Sequence, residues 1–159
     1  MPRAPSARVI RVAWPHRWEH DKDPASFFAA LDVLETEGVG FRLALAGENF
    51  RNQPDEFDAA RERFGSRVVH FGFAPDERYV DLLRRATVTA STALHEFFGV
   101  AVVEAIYAGV YPVLPNRLVY PERIPAGSHQ ACLYDDHAGL VDRLRWALVH
   151  PGEAAAVAA

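Results

Sequence analysis

One cysteine, Cys132, stands in a chain of 159 residues, so no internal disulfide can form. That fits a reducing cytoplasm. Lysine is equally scarce: Lys22 stands against 16 arginines, which singles it out where arginine is the habitual cation. No apolar run approaches the ~18 residues needed to cross a bilayer, and the N-terminus lacks the apolar core of a secretory signal. A cytoplasmic location without a membrane span is expected. Net positive charge is also missing, the formal value being -4, so there is no electrostatic footprint for a nucleic-acid backbone. Any grip on nucleic acid must come from elsewhere. No G-x-G-x-x-G follows the first apolar strand, which leaves a dinucleotide dehydrogenase unsupported, and no G-x-x-x-x-G-K-[ST] occurs, which removes a P-loop. Ser91 and Thr92 lack the G-x-S-x-G setting of a hydrolase nucleophile.

What is present is a core. Hydrophobic residues make up 50% of the chain, enough for one domain over residues 1–159. Apolar or β-rich runs at Arg8 to Trp14, Phe41 to Ala46, Val68 to Phe71, Thr87 to Ser91, Tyr111 to Leu114 and Ala131 to Tyr134 predict strands. Helical patterns fall between them, near Pro24 to Glu37, Pro54 to Phe64, Asp76 to Arg85, Gly99 to Ala108 and Asp136 to His150, with a short turn near Tyr120 to Arg123. Pro24 and Pro54 suit first-turn positions, and Gly38, Gly65 and Gly109 suit helix stops. The alternation predicts an α/β fold: a doubly wound, Rossmann-like parallel sheet covered on both faces. Ligands of such sheets bind beyond the carboxyl ends of the strands.

The chemistry-bearing residues gather at those ends. Glu96 and Glu104 bracket Phe97-Phe98-Gly99-Val100 and an apolar helical stretch. A carboxylate inside such a stretch either turns to solvent or faces a ligand that donates hydrogen bonds, such as a sugar hydroxyl or a ribose diol. The helix N-terminus between them favours anions. Arg17 and Lys22 follow the first strand. Taken alone, with Glu19, Asp21 and Asp23 adjacent, they read as a solvated loop; with the two glutamates they read as a site for a diphosphate. Gly47, Gly72 and Gly99 each follow a strand, either as turn glycines or to let a nucleotide approach the backbone. His16 and His20 have the spacing of a metal pair, but Pro15 and the acidic context oppose a regular helix and no third ligand stands at convincing spacing, so no metal is assigned. His95 is expected at the pocket edge. Trp14, Trp18, Phe97 and Phe98 are expected to pack, with Phe98 as a further candidate for a pocket wall. Cys132 is expected to begin an apolar strand as a small core residue.

The run Glu96-Phe97-Phe98-Gly99-Val100-Ala101-Val102-Val103-Glu104-Ala105, followed by Ala108-Gly109-Val110-Tyr111-Pro112-Val113, resembles the donor-site signature of retaining GT-B glycosyltransferases of the glycogen-synthase-like and mannosyltransferase group. Arg17 and Lys22 match the arginine and lysine that follow the first strand of that family's C-terminal domain, and the resemblance runs from Arg8 to about Pro151. Trp14 to Pro24, Ser91 to Ala101 and Leu118 to Glu122 look like the tRNA-queuosine mannosyltransferase group within it. The broad family has glycine directly after the first glutamate, where this chain has Phe97. The resemblance implies one half of a GT-B fold, the nucleotide-sugar donor domain, with the N-terminal acceptor domain and the last helix that packs back onto it absent. It implies GDP-mannose as donor, queuosine in tRNA as acceptor, and no metal or other cofactor. Arg17 and Lys22 would hold the diphosphate; Glu96 would accept from sugar hydroxyls and Glu104 from the ribose. Phe73 and Ala74 would border the base, with Gly47, His95, Phe98, Gly99 and Val100 completing the donor site. Catalysis would rest on Arg17, Lys22 and Glu96. Alternatives are a non-catalytic nucleotide or nucleotide-sugar binding module and an unrelated doubly wound domain.

Overall fold

The structure is a computed structural model that describes residues 10–47 and 54–158. Six parallel strands form one sheet: β1 (Ile10–Trp14), β2 (Leu43–Ala46), β3 (Val68–Gly72), β4 (Ala86–Ala90), β5 (Tyr111–Pro115) and β6 (Leu133–Tyr134), in the spatial order β3-β2-β1-β4-β5-β6. The crossovers carry α1 (Pro24–Thr36), α2 (Glu56–Phe64), α3 (Asp76–Arg85), α4 (Val100–Tyr107), α5 (Tyr120–Arg123) and α6 (His129–Cys132), and α7 (His137–Val149) and α8 (Pro151–Ala158) close the chain. The parallel, doubly wound sheet expected from the alternation is therefore the observed one.

The two faces of the sheet are unequal. Val12, Trp14, Leu43 and Leu45 point to one face and pack with Phe27, Leu31 and Leu34 of α1, Phe57 of α2 and Leu140 and Leu144 of α7. Ala13, Ala44 and Ala46 point to the other and meet Leu82 and Leu83 of α3 and Ala105 of α4. Strand side chains alternate between faces, so the bulky and small residues of β1 and β2 sort into a thick and a thin layer.

Helix ends follow local chemistry. Asp23 caps α1 by accepting from the Ser26 amide at 3.3 Å, Pro24 takes the first helical position, and Gly38 turns the chain out with φ of 80°. Gly65 and Gly109 end α2 and α4 with positive φ.

Two expectations need correction. Pro54 is not in the first turn of α2: the helix begins at Glu56, and the Pro54 carbonyl accepts from the Phe57 amide at 3.3 Å in the turn before it. Ala131 and Cys132 are helical, not extended; Cys132 is buried at the end of α6, and β6 is two residues long. α8 follows α7, with Pro151 at its start and Ala154 buried against the core.

Candidate functional site

Strand order reverses between β1 and β4, and the crevice beyond their carboxyl ends is where open α/β sheets bind ligands. A cleft of about 510 Å³ lies there, walled by the segment after β1, the segment after β4 and Tyr79 of α3.

The segment after β1 is held from below. Trp18 is buried and stacks on Phe57 at 4.3 Å, with Phe71 edge-on at 4.6 Å. Gly47, at the end of β2, lets the segment close: a Cβ there would sit 2.3 Å from the His16 carbonyl oxygen. A 3-10 turn over His20–Lys22 then bonds Lys22 N–H to the Glu19 carbonyl at 3.1 Å, and Asp23, at φ of 49°, swings the chain into α1. Lys22 is thereby turned inward with its side chain 10% exposed. Its ammonium donates to the His95 carbonyl at 3.0 Å and lies 3.4 Å from Glu96 Oε2 and 3.9 Å from Asp21 Oδ2. An ammonium so nearly buried needs such acceptors, because desolvating an unpaired charge is costly.

The segment after β4 is pinned on both sides. Thr92 Oγ1 lies 2.7 Å from the Lys22 carbonyl and 2.8 Å from that of Asp23, and the Leu94 amide donates to the Asp21 carbonyl at 2.7 Å. From the far side the Ser91 hydroxyl donates to Tyr120 at 2.6 Å, Tyr134 donates to the Ser91 carbonyl at 2.7 Å, and Arg117 and Arg123 donate to the carbonyls of Ala93 and Phe98. Burial pushes the Tyr120 hydroxyl up to about 12, so it stays a neutral partner. Gly99, at φ of 68°, then turns the chain into α4. The first α4 hydrogen bond runs from the Val103 amide to the Gly99 carbonyl, so the amides of the first turn lack helical acceptors and give that end positive character.

His16 lines the same cleft at 3% exposure. Its Nε2 lies 2.7 Å from the Ala90 carbonyl, which can only accept, so Nε2 carries the proton. Burial lowers its pKa to about 4 against the opposing pull of that bond, with nearby Lys22 lowering it further, so the ring is neutral at pH 7.

Of the residues the sequence nominated, the cleft wall brings together Arg17, Lys22, His95, Glu96, Phe98, Gly99, Val100 and Glu104. Arg17 stands at the rim, its side chain 78% exposed and paired with Glu19 at 3.0 Å. Glu104 faces the cleft from the exposed side of α4 and accepts from Tyr79 Oη at 3.3 Å. Gly47, Phe73 and Ala74 are not among the lining residues: Gly47 supports the segment above it, Ala74 is buried in the thin layer, and Phe73 lies exposed beyond β3. Glu48 and Asn49, which follow Gly47, lie outside the described residues. The expectation that Phe97 and Phe98 pack is overturned, for they are 88% and 69% exposed, carried outward on the pinned segment. Pro15, His16, Glu19, Asp21, Tyr79, Phe97 and Ala101 line the cleft without having been assigned to the donor site, His16 having been weighed only as a metal ligand. For Tyr79 no local signal exists, since its partner is 25 residues away. Among the described residues no group of three His, Cys, Asp or Glu side chains is placed to hold a metal ion, and no helix is long and apolar enough to cross a membrane.

The chain is similar to known proteins in sequence and in fold. The tRNA-queuosine alpha-mannosyltransferase of Drosophila melanogaster is 44% identical over 118 residues, which is 74% of this chain and 31% of that protein. The GDP-mannose:cellobiosyl-diphosphopolyprenol alpha-mannosyltransferase of Xanthomonas campestris is 30% identical over 116 residues, 72% of this chain and 30% of its own length. The chain thus spans about a third of these curated relatives. Among solved structures, the catalytic domain of cholesterol-alpha-glucosyltransferase from Helicobacter pylori superposes with a TM-score of 0.75 at 20% identity, over 94% of this chain and 92% of that one. Anabaena HepE in complex with UDP and glucose superposes with a TM-score of 0.77 at 18% identity, over 98% and 42% of the respective chains. These likenesses extend to the fold, the Rossmann-like half of GT-B. The sequence profile of the family described as glycosyl transferases group 1 matches residues 10–158, essentially the whole described chain, and to that family the protein belongs.

Proposed function

We propose that the chain is the donor-binding domain of a retaining glycosyltransferase that takes GDP-mannose and transfers mannose to queuosine in tRNA in the cytoplasm, with the acceptor held by a separate N-terminal domain. The observation that carries this reading is the setting of Lys22. The only lysine of the chain is nearly buried beneath the cleft, 3.4 Å from Glu96 and 3.0 Å from the His95 carbonyl, beside the positive end of α4. A cation and a helix terminus converging beside a carboxylate suit an anion joined to a polyol, which is the chemistry of a sugar diphosphate. The names of the relatives support mannose, and one of them GDP-mannose.

In this scheme the bond from the sugar anomeric carbon to the β-phosphate oxygen breaks and its electron pair stays on GDP. Lys22, Arg17 and the α4 amides stabilise the charge that develops there, which is electrostatic catalysis aimed at the leaving group. Arg17 leaves Glu19 to reach the phosphates. The acceptor hydroxyl forms the new bond on the same face of an oxocarbenium-like carbon, and its proton passes to the departing phosphate oxygen. Glu96 orients the sugar hydroxyls and Glu104 the ribose. The scheme assigns no step to a metal ion.

Calorimetric titration with GDP, UDP and ADP and their sugars tests the proposal. GDP is expected to bind, and Lys22→Ala to weaken it about 30-fold, the loss of one charge-assisted contact of about 2 kcal/mol. Unchanged affinity in Lys22→Ala, or no binding of any nucleotide, overturns the reading. Binding of GDP-mannose without transfer, once the acceptor-bearing domain is supplied, would instead identify a binding module.

A further inference from the structure

We infer that Tyr79 is a positioning residue: it fixes the Glu104 carboxylate to receive the two ribose hydroxyls of the nucleotide, and so makes the cleft selective for ribonucleotides over deoxyribonucleotides. The inference rests on the reading of the cleft as a nucleotide-sugar site. Glu104 lies on the exposed side of α4, where a free glutamate samples many rotamers. Among the described residues its side chain has one hydrogen-bond partner, the Tyr79 hydroxyl, at 3.3 Å from Oε1. Tyr79 is itself firmly placed. Its amide makes the first hydrogen bond of α3, to the Pro75 carbonyl at 2.8 Å, and its ring packs against the alanine layer of the sheet. Burial, reinforced by the Glu104 charge, pushes the phenol upward from its ordinary range, so the hydroxyl keeps its proton and donates.

The stereochemistry suits a vicinal diol. A carboxylate offers about four lone-pair positions, and the tyrosine takes one on Oε1. The remaining positions can meet two O–H donors held at a fixed spacing. Holding the carboxylate before the ligand arrives lowers the ordering cost of binding. A deoxyribose brings one donor fewer and gains less from that preparation. Tyr79 reaches Glu104 from a different element of the fold, 25 residues away, and lines the cleft beside it.

The test is Tyr79→Phe, which keeps the ring in its packing and removes only the hydroxyl. GDP, 2′-deoxy-GDP and pyrophosphate are titrated against the wild type, Tyr79→Phe, Glu104→Ala and the double variant. GDP is expected to bind Tyr79→Phe roughly five- to tenfold more weakly, with pyrophosphate changed by less than about twofold and the preference for GDP over 2′-deoxy-GDP reduced. In the Glu104→Ala background, Tyr79→Phe should have no further effect. If Glu104→Ala weakens GDP and Tyr79→Phe does not, the positioning role is wrong while the nucleotide reading stands. Equal losses for GDP and pyrophosphate in Tyr79→Phe would mean a general loss of structure and also overturn it. If the wild type binds no GDP, the underlying reading fails and this inference with it.

Discussion

Acidification should destabilise the protein through His16. The ring is 3% exposed and gives its one proton to the Ala90 carbonyl at 2.7 Å. A second proton would put a cation into a desolvated site that already holds the Lys22 ammonium. Burial, ahead of that repulsion, lowers the pKa from 6.5 to about 4. Between those two pH values the unfolded chain carries a proton at this histidine that the folded chain refuses. The contribution of neutral His16 is therefore complete above about pH 6.5 and is lost as the pH falls toward 4. Each pH unit in that window is worth about 1.4 kcal/mol, so the full penalty is about 3 kcal/mol. That is a large fraction of the 5–15 kcal/mol typical of a domain. Other titrating groups are removed by comparison with His16→Gln, whose amide can still donate to Ala90 but does not ionise. Urea unfolding of both proteins at pH 7.5 and 5.0 should show the wild type losing about 2 kcal/mol more than the variant. Parallel losses in the two proteins would refute a neutral, buried His16.

Three further outcomes follow from the segments that form and support the cleft. Gly47→Ala must move the backbone at His16, because its Cβ would meet the carbonyl oxygen at 2.3 Å; a loss of about 1–3 kcal/mol by denaturant unfolding, together with weaker GDP binding, is expected, and wild-type behaviour in both would show that the two segments are not packed this way. Thr92→Val keeps the shape but removes the hydroxyl between the Lys22 and Asp23 carbonyls, so unfolding should report a loss of about 1–3 kcal/mol, and an unchanged midpoint would deny the bridge. Arg17→Ala should separate stability from binding: its exposed pair with Glu19 contributes under about 1 kcal/mol, while GDP affinity should drop roughly tenfold, and a thermal shift without a binding defect would reverse the assignment.

The order of elements was readable because each signal was local. Apolar runs separated by helical patterns, Pro24 at a helix start and Gly38, Gly65 and Gly109 at helix ends required no tertiary knowledge. Lys22 and the two glutamates could be nominated because residues of that chemistry stood where strands end. Less legible were positions decided by distant partners. Gly47 gave the signal of a ligand-facing glycine, yet its lack of a side chain is needed by a carbonyl 31 residues earlier in the chain. Phe97 and Phe98 look like core residues by type, but the Lys22 and Arg123 bonds to the neighbouring carbonyls of His95 and Phe98 fix the backbone with both rings outward. The role of Tyr79 depends on a contact between two helices that no periodicity in either one announces.

The alanine layer of the sheet has a consequence for the dimensions of the binding crevice. Ala13 and Ala44 act as a spacer between the strands and α3, the helix that bears Tyr79, while the segment bearing Lys22 emerges from the strand itself. Side-chain volume hidden on the far side of the backbone therefore gauges how far apart the two halves of the crevice stand. Adding a methylene or two at those alanines would lift the helix and widen the opening, so its bore can be altered from behind without touching a residue that lines it.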